Sequence, residues 1–482
     1  MRPRSDSRIF GFLVLPAIAL GMLIGHARAE MPNVLVIMLD DSGWTDFGCY
    51  GSEIETPNID RLATQGMRFT DCHSAAPNCS PSRAGLLTGR TPSRSGIYSY
   101  RPPQHTMHLR EEEITVAELL RERGYATGHF GKWHLSTLIS DQPGPIDQGF
   151  DYSLGTDNNA APSHLDPMNF VRNGEPVGEI TGYSCQIVAD ETIGWLDAIG
   201  AKPGGDPFFA CVWYHEPHTP IASPPELIAK YQERFPDLSK KDAAYYANIE
   251  NVDLATGRIL ARLEELGIEE NTLIFLTSDN GGLNDYSNAG LRGKKSNVWE
   301  GGHRVPGIFC WPGKIEAGSI SEVPISGVDF LPTICELTDT ELPPDRIIDG
   351  VSLASLLSGK SDNLTRDKPL YWFFYRLNPA IAIRDGRWSL IADSTDADRP
   401  KTHGLISADM PFIKSSAPVN FQLFDLESDL AQRRDVSAEH PEVVARLSEV
   451  VKQLHAEVIK EGFSWEIPPS ENTRNPRIWD SY

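Results

Sequence analysis

The chain has 482 residues, 40% hydrophobic and 23% charged, with a formal charge of −22. Length and apolar content fit one large domain with a smaller companion around a packed core. The acidic balance argues against a nucleic-acid partner, since phosphate binding needs clustered Lys and Arg, and it makes any local basic cluster more telling.

Arg2, Arg4 and Arg8 precede an apolar run over 9–24 and then Ala27-Arg28-Ala29. A basic n-region, an apolar core and an A-x-A site are the marks of a secretory signal peptide, here 1–29 with cleavage after Ala29. The mature protein is therefore expected to be secreted or periplasmic, and cleavage takes the formal charge to −25. No later stretch approaches the roughly 20 apolar residues of a spanning helix, so no membrane span is expected after cleavage.

Residues 34–39 are a short, unalternating, β-branched run, as expected of a strand buried on both faces. Residues 208–214 and 272–277 read the same way. A helical stretch over 114–123 ends at Gly124, and Ile249, Val252, Thr256, Ile259, Leu263 and Leu266 mark another that stops at Gly267. The alternation predicts an α/β class, with a large, mostly parallel sheet sandwiched by helices. The texture changes near 360–368. Beyond it, 370–376, 380–384, 388–392 and 422–426 read as strands, and a helix runs from about Pro441 to Glu461. The expected organisation is a catalytic domain over 30–365 and a smaller C-terminal antiparallel α+β subdomain over 366–482.

The strand-like runs end in residues that are odd for structure alone. Asp40-Asp41 closes the first, and Ser278-Asp279-Asn280-Gly281-Gly282 closes the third. Adjacent carboxylates repel unless a cation lies between them, so four hard oxygen ligands from two strand ends suggest Ca²⁺ or Mg²⁺. Cys79-Ser80-Pro81-Ser82-Arg83 runs directly into Ala84-Gly85-Leu86-Leu87-Thr88-Gly89-Arg90. In Gly131-Lys132-Trp133-His134-Leu135, Lys132 and His134 share a face if the segment is extended. His218 follows the second strand, as a general acid or as a satisfied loop histidine. Lys294 and Lys295, ahead of Glu300-Gly301-Gly302, suit an anion. The cysteines (49, 72, 79, 185, 211, 310 and 335) match no zinc spacing. Export permits disulfides, and setting Cys79 aside leaves six; the pairing stays open, and Cys211 and Cys310 equally suit core thiols.

Taken together, C-x-P-S-R-x-x-L-x-T-G-R at 79–90, G-K-W-H-L, D-N-G-G and E-G-G resemble the type I, formylglycine-dependent sulfatases of the alkaline-phosphatase superfamily. In texture they are nearest the arylsulfatase A and N-acetylgalactosamine-6-sulfatase group, and the likeness covers nearly all of the mature chain. The resemblance implies an alkaline-phosphatase-like fold and conversion of Cys79 to formylglycine by a formylglycine-generating or anaerobic maturation enzyme. It implies that Asp40, Asp41, Asp279, Asn280 and the modified residue 79 hold the metal, usually Ca²⁺. Arg83 would hold the formylglycine. Lys132, His134, His218 and Lys295 would stabilise the aldehyde hydrate and grip or protonate the sulfate ester. The family often has glycine where Lys294 stands, and the distance to Glu300-Gly301-Gly302 assigns the role to Lys295. The implied reaction is sulfuric ester hydrolysis on a sulfated carbohydrate or aryl sulfate, with a sulfated small molecule or oligosaccharide as the partner. A two-zinc phosphatase of the same superfamily would need a D-x-x-x-H style second site, which is not evident. The intact motif set argues against a silent, carbohydrate-binding relative. Residues 151–169, rich in Asp, Asn and Pro with His164, read as a substrate wall or an exposed surface.

Overall fold

Alternate residues of one strand serve two different cores. In Asn33–Asp40, Val34, Val36 and Met38 pack into one hydrophobic cluster, while Leu35, Ile37 and Leu39 pack into another. Successive side chains of a strand point to opposite faces, so both faces of the sheet are covered and the sequence shows no polar alternation. Phe208–Pro217 divides likewise: Phe209, Cys211 and Trp213 go one way, Phe208, Ala210, Val212 and Tyr214 the other. The computed structural model describes residues 31–471 apart from 285, 377 and 396–403. The signal peptide expected over 1–29 lies outside the described residues.

The main sheet has ten strands. At its centre Thr272–Ser278, Asn33–Asp40, Phe208–Pro217, Ala126–Lys132 and Tyr152–Thr156 are all parallel. Antiparallel pairings appear toward the edges, where Gly307–Cys310 joins Thr272–Ser278 and Phe170–Arg172 joins Tyr152–Thr156. The sheet is thus mostly parallel, with mixed edges that single short strands did not announce.

The helix expected around Ile249 runs over Lys240–Glu265, starting nine residues earlier. Ser239 caps it, its hydroxyl accepting from the Asp242 amide, and Ala243, Tyr245 and Ala247 extend the buried stripe. The earlier helix is shorter than expected, Val116–Glu122, because Thr115 and Glu118 form a capping box.

A separate four-stranded antiparallel sheet follows, ordered Leu370–Phe374, Ala380–Asp385, Trp388–Ser394 and Pro418–Asp425. The helix Pro441–Glu461 lies where the sequence put it. Its Leu447, Val451 and Val458 share a core with Tyr371, Phe373, Ile381 and Ile383. The sheet's other face, with Trp372, Phe374 and Phe424, packs on Val298, three residues after Lys295. The seven cysteines are free thiols, and Cys211 and Cys310 are buried in the core. Among the described residues no helix is long and apolar enough to cross a membrane.

Candidate active site

Parallel strands bring their carboxyl ends to one edge of the sheet, where α/β folds place their ligands. Asp40, Lys132 and Ser278 are the last residues of three such strands, so Asp41 and Asp279 start the loops at that edge. Asp41 sits at φ 68°, a left-handed conformation that costs a non-glycine residue energy, and its amide donates to Asp279 Oδ1 at 3.2 Å. Cys79 arrives from elsewhere, as the first residue of the wholly buried helix Cys79–Thr88. Its Sγ lies 3.6 Å from Asp40 Oδ1.

Three cations meet the three carboxylates. Lys132 Nζ donates to Asp40 Oδ2, and Lys295 Nζ lies 2.8 Å from Asp41 Oδ1. Arg83 donates to Asp279 Oδ2 through Nη2 at 2.8 Å and Nε at 3.1 Å, and to the Lys132 carbonyl at 2.8 Å. Lys294 is exposed, so the geometry selects Lys295 of the two lysines. The backbone of Ser296 donates to the Pro77 carbonyl at 2.7 Å, and Asn78 Nδ2 donates to its hydroxyl at 3.1 Å. The lysine loop is therefore stitched to the turn that carries Cys79.

The electrostatics are those of a crowded, dry site. Burial drives the Asp279 carboxyl up to about 7, with the Asp40 and Asp41 carboxylates adding to it against the opposing Arg83. Burial also works against the Asp40 carboxylate, but Lys132, His218, Arg83 and Lys295 together hold it well below its usual range. Burial pushes the Cys79 thiol up. A buried Asn280 Oδ1 has no hydrogen-bond partner, while its Nδ2 donates to Asp41 Oδ1 at 2.7 Å. Three converging carboxylates and an orphaned amide oxygen are the hard donor set that Ca²⁺ or Mg²⁺ takes, so Asp40, Asp41, Asp279 and Asn280 fit a cation.

Lys132 and His134 reach the site by different routes. The strand stops at Lys132, and His134 lies at φ 59°, so the segment is not extended and the two do not share a strand face. Trp133 between them is buried and stacks on Trp213 at 6.1 Å, which turns the chain. His134 Nε2 lies 2.8 Å from the Arg101 carbonyl, an acceptor, so the proton is on Nε2 and a buried, unpartnered Nδ1 lone pair remains. Burial, with Lys132 and Arg83, keeps this ring neutral. Gly131 makes the turn possible. Its φ is 103°, and a Cβ there would lie 1.9 Å from the Trp213 carbonyl oxygen. Gly131→Ala is expected to cost about 2 kcal/mol or more in denaturant unfolding, with loss of activity through displaced Lys132.

His218 Nε2 lies 3.5 Å from Asp41 Oδ2 and its Nδ1 2.6 Å from the Thr219 carbonyl. Burial lowers it to about 4, with Lys295 adding to the effect. Sequence reasoning did not single out Asn159. Its Oδ1 accepts from Lys132 Nζ at 3.1 Å, and its Nδ2 lies 2.9 Å from His218 Nδ1 and 3.0 Å from the Thr219 carbonyl. Only its place within 151–169 pointed toward it. His164, read as part of a substrate wall or an exposed surface, is fully buried with Nδ1 3.8 Å from Glu216, and belongs to the interior.

Known proteins resemble this chain over most of its length. Residues 32–340 match the Sulfatase family, and 293–460 match the family described as N-sulphoglucosamine sulphohydrolase, C-terminal. The chain is 30% identical to steryl-sulfatase of Rattus norvegicus, over 93% of this chain and 92% of that protein. It is 34% identical to N-acetylgalactosamine-6-sulfatase of Canis lupus familiaris, over 78% and 74%. Among solved structures, Ps i-CgsB in complex with k-i-k-neocarrahexaose superposes with a TM-score of 0.77 at 28% identity, covering 92% of this chain and 96% of that one. The PsFucS1 sulfatase from Pseudoalteromonas sp. gives 0.72 at 26% identity, covering 91% and 92%.

Proposed function

We propose, for this chain, which belongs to the sulfatase family and is a sulfuric ester hydrolase, that it removes sulfate from sulfated saccharides with residue 79 acting as formylglycine. The observation that carries the reading is the position of Cys79 Sγ, 3.6 Å from Asp40 and ringed by Lys132, Lys295, Arg83 and His218. Burial keeps the unmodified thiol protonated, and a protonated thiol is a poor nucleophile. The surroundings suit a different oxygen-bearing group.

Formylglycine supplies a geminal diol, giving one hydroxyl for attack on sulfur and a second for internal release of sulfate, so no water need attack an electron-rich ester. A cation held by Asp40, Asp41, Asp279 and Asn280, Ca²⁺ in this reading, supplies positive charge for the developing anion. The chain's own residues do the rest. Arg83 fixes Asp279 and the Lys132 carbonyl, which sets the width of the site. His134 Nδ1, its tautomer set by the Arg101 carbonyl, accepts a hydroxyl proton from residue 79. Lys132 and Lys295 neutralise charge on the sulfuryl oxygens, and His218, its Nδ1–H held by the Thr219 carbonyl, donates from Nε2 to the leaving oxygen once the anionic ester has offset burial and let the ring take up a second proton. Asn159 aligns Lys132 with His218.

A saccharide is supported by the N-acetylgalactosamine-6-sulfatase relatives and by the neocarrahexaose complex. The signal peptide read over 1–29 makes the enzyme secreted or periplasmic. Purified protein should show the aldehyde mass at residue 79 by peptide mass spectrometry, and should release sulfate from a sulfated oligosaccharide panel faster than from steryl sulfate. An active preparation with an intact Cys79 thiol overturns the mechanism; preference for the steryl ester overturns the substrate class. His218→Ala is expected to slow alkyl and sugar sulfates by roughly 10²-fold but nitrophenyl sulfate by less than ~10-fold, because the better leaving group needs no proton. Equal losses in kcat/KM on both would remove His218 as the acid.

A further inference from the structure

A second buried cluster lies apart from the reaction centre, under the small sheet. His73, Glu300 and His303 are each at most 2% exposed, and each offers a ligand atom within 4.8 Å of the others. Each histidine meets a backbone carbonyl. His73 Nδ1 lies 3.3 Å from the Ile325 carbonyl, and His303 Nε2 lies 3.1 Å from the Val298 carbonyl. A carbonyl only accepts, so His303 spends its proton on backbone and keeps Nδ1 as a lone pair, whereas His73 meets acceptors at both ring nitrogens. His303 Nδ1 is buried and has no hydrogen-bond partner. His73 Nε2 faces two carboxylate oxygens, Glu300 Oε2 at 3.2 Å and Asp71 Oδ1 at 3.3 Å.

His73 Nε2 faces only acceptors, so that position is filled either by a ring proton or by a cation coordinated in its place. The 3.2 Å between His73 Nε2 and Glu300 Oε2 suits a cation, since ligand atoms around a tetrahedral ion with bonds of about 2.0 Å stand roughly 3.3 Å apart, and the His303 ligand atom lies within 4.8 Å of both. The outer contacts are those of a ligand shell as well. Backbone carbonyls hold both rings, and Arg304 orients the carboxylates, with Nε 2.7 Å from Glu300 Oε2 and Nη2 2.8 Å from Asp71 Oδ1. A groove of about 510 Å³ lined by Trp44, Asp71, Arg304 and Arg384 adjoins the cluster on the side of Asp71 and Arg304.

From this juxtaposition we propose that His73, His303 and Glu300, with Asp71 beside them, form a structural site for a borderline divalent cation, Zn²⁺ by its nitrogen and oxygen donors. The guanidinium charges of Arg304 and Arg384 beside it make the site weaker than a cage of the same ligands without them. It ties the Asp71–His73 segment to the short helix Glu300–His303, whose last residue stacks on Trp372 of the small sheet at 4.0 Å. The site is separate from the oxygen-ligand cluster around Asp40.

The test uses the full chain carrying Cys79→Ala, which removes the one thiol near other ligands at the reaction centre. After incubation with zinc and desalting in Ca²⁺ buffer, elemental analysis should find about one zinc per chain. Cobalt in its place should give the visible absorption of a tetrahedral site. Both signals should fall at least ~10-fold on adding His303→Gln or His73→Gln, with far-ultraviolet dichroism unchanged. Absence of zinc and of the cobalt bands in the Cys79→Ala chain overturns the proposal without relying on a second substitution. Zinc retained by folded variants carrying either histidine change overturns it as well.

Discussion

Cys79→Ala is expected to reduce sulfate release by at least ~10⁴-fold on every substrate, the scale of removing a nucleophile from a site whose other groups act only through it. The comparison that matters is between kcat/KM and unfolding. Cys79 is buried as the first residue of its helix, but the Asn78 amide bond to Ser296 and the Arg83 contacts do not pass through its side chain. Unfolding free energy should therefore change by no more than about 1 kcal/mol. Residual turnover within ~10-fold of the parent would assign the nucleophile elsewhere.

Removing the cation should produce the next largest effect, with a pH signature from Asp279. Its carboxyl stands at about 7 in the folded chain against an ordinary 3.8, chiefly because it is buried. Between these values the folded state keeps a proton that the unfolded state has released. Stability of chelated protein therefore falls as pH rises from about 4 to about 7, opposite to the usual carboxylate case. A thermal scan of chelated protein should show Tm lower at about pH 8 than at about pH 6, by about 1–2 °C, since the shift is worth about 1.4 kcal/mol over that interval. Ca²⁺ should restore most of it at the higher pH, where its ligands are deprotonated. Asp279→Asn should flatten that dependence and lower activity by ~10²-fold or more. A chelated parent whose Tm rises over the same interval would contradict the arrangement.

Three of the central strands were legible because burial on both faces leaves an unbroken apolar run, and Asp40 and Asp279 because such runs end at the reactive edge; Lys132 stood out only within Gly131-Lys132-Trp133-His134-Leu135. The edge strands, three or four residues long, carry too little pattern to announce themselves. His134 misled because its left-handed turn depends on Trp133 packing against Trp213, a partner eighty residues away. Asn159 was invisible for a similar reason. An asparagine in a polar loop looks like any other until folding sets it between Lys132 and His218. His164 shows the converse, a loop histidine that packs inward.

The two-sided burial of Asn33–Asp40 also bears on how the strand finds its place. Sliding it by one residue against Thr272–Ser278 would exchange its two apolar faces, and both cores would still receive aliphatic side chains. Apolar burial alone is nearly indifferent to that error. The polar ends are not: Asn33 bonds to Thr272 and to the Phe208 amide, and Asp40 must meet Lys132. The residues that run the reaction thus double as alignment marks for the sheet, and replacing Asp40 loosens the proofreading of strand pairing along with the chemistry.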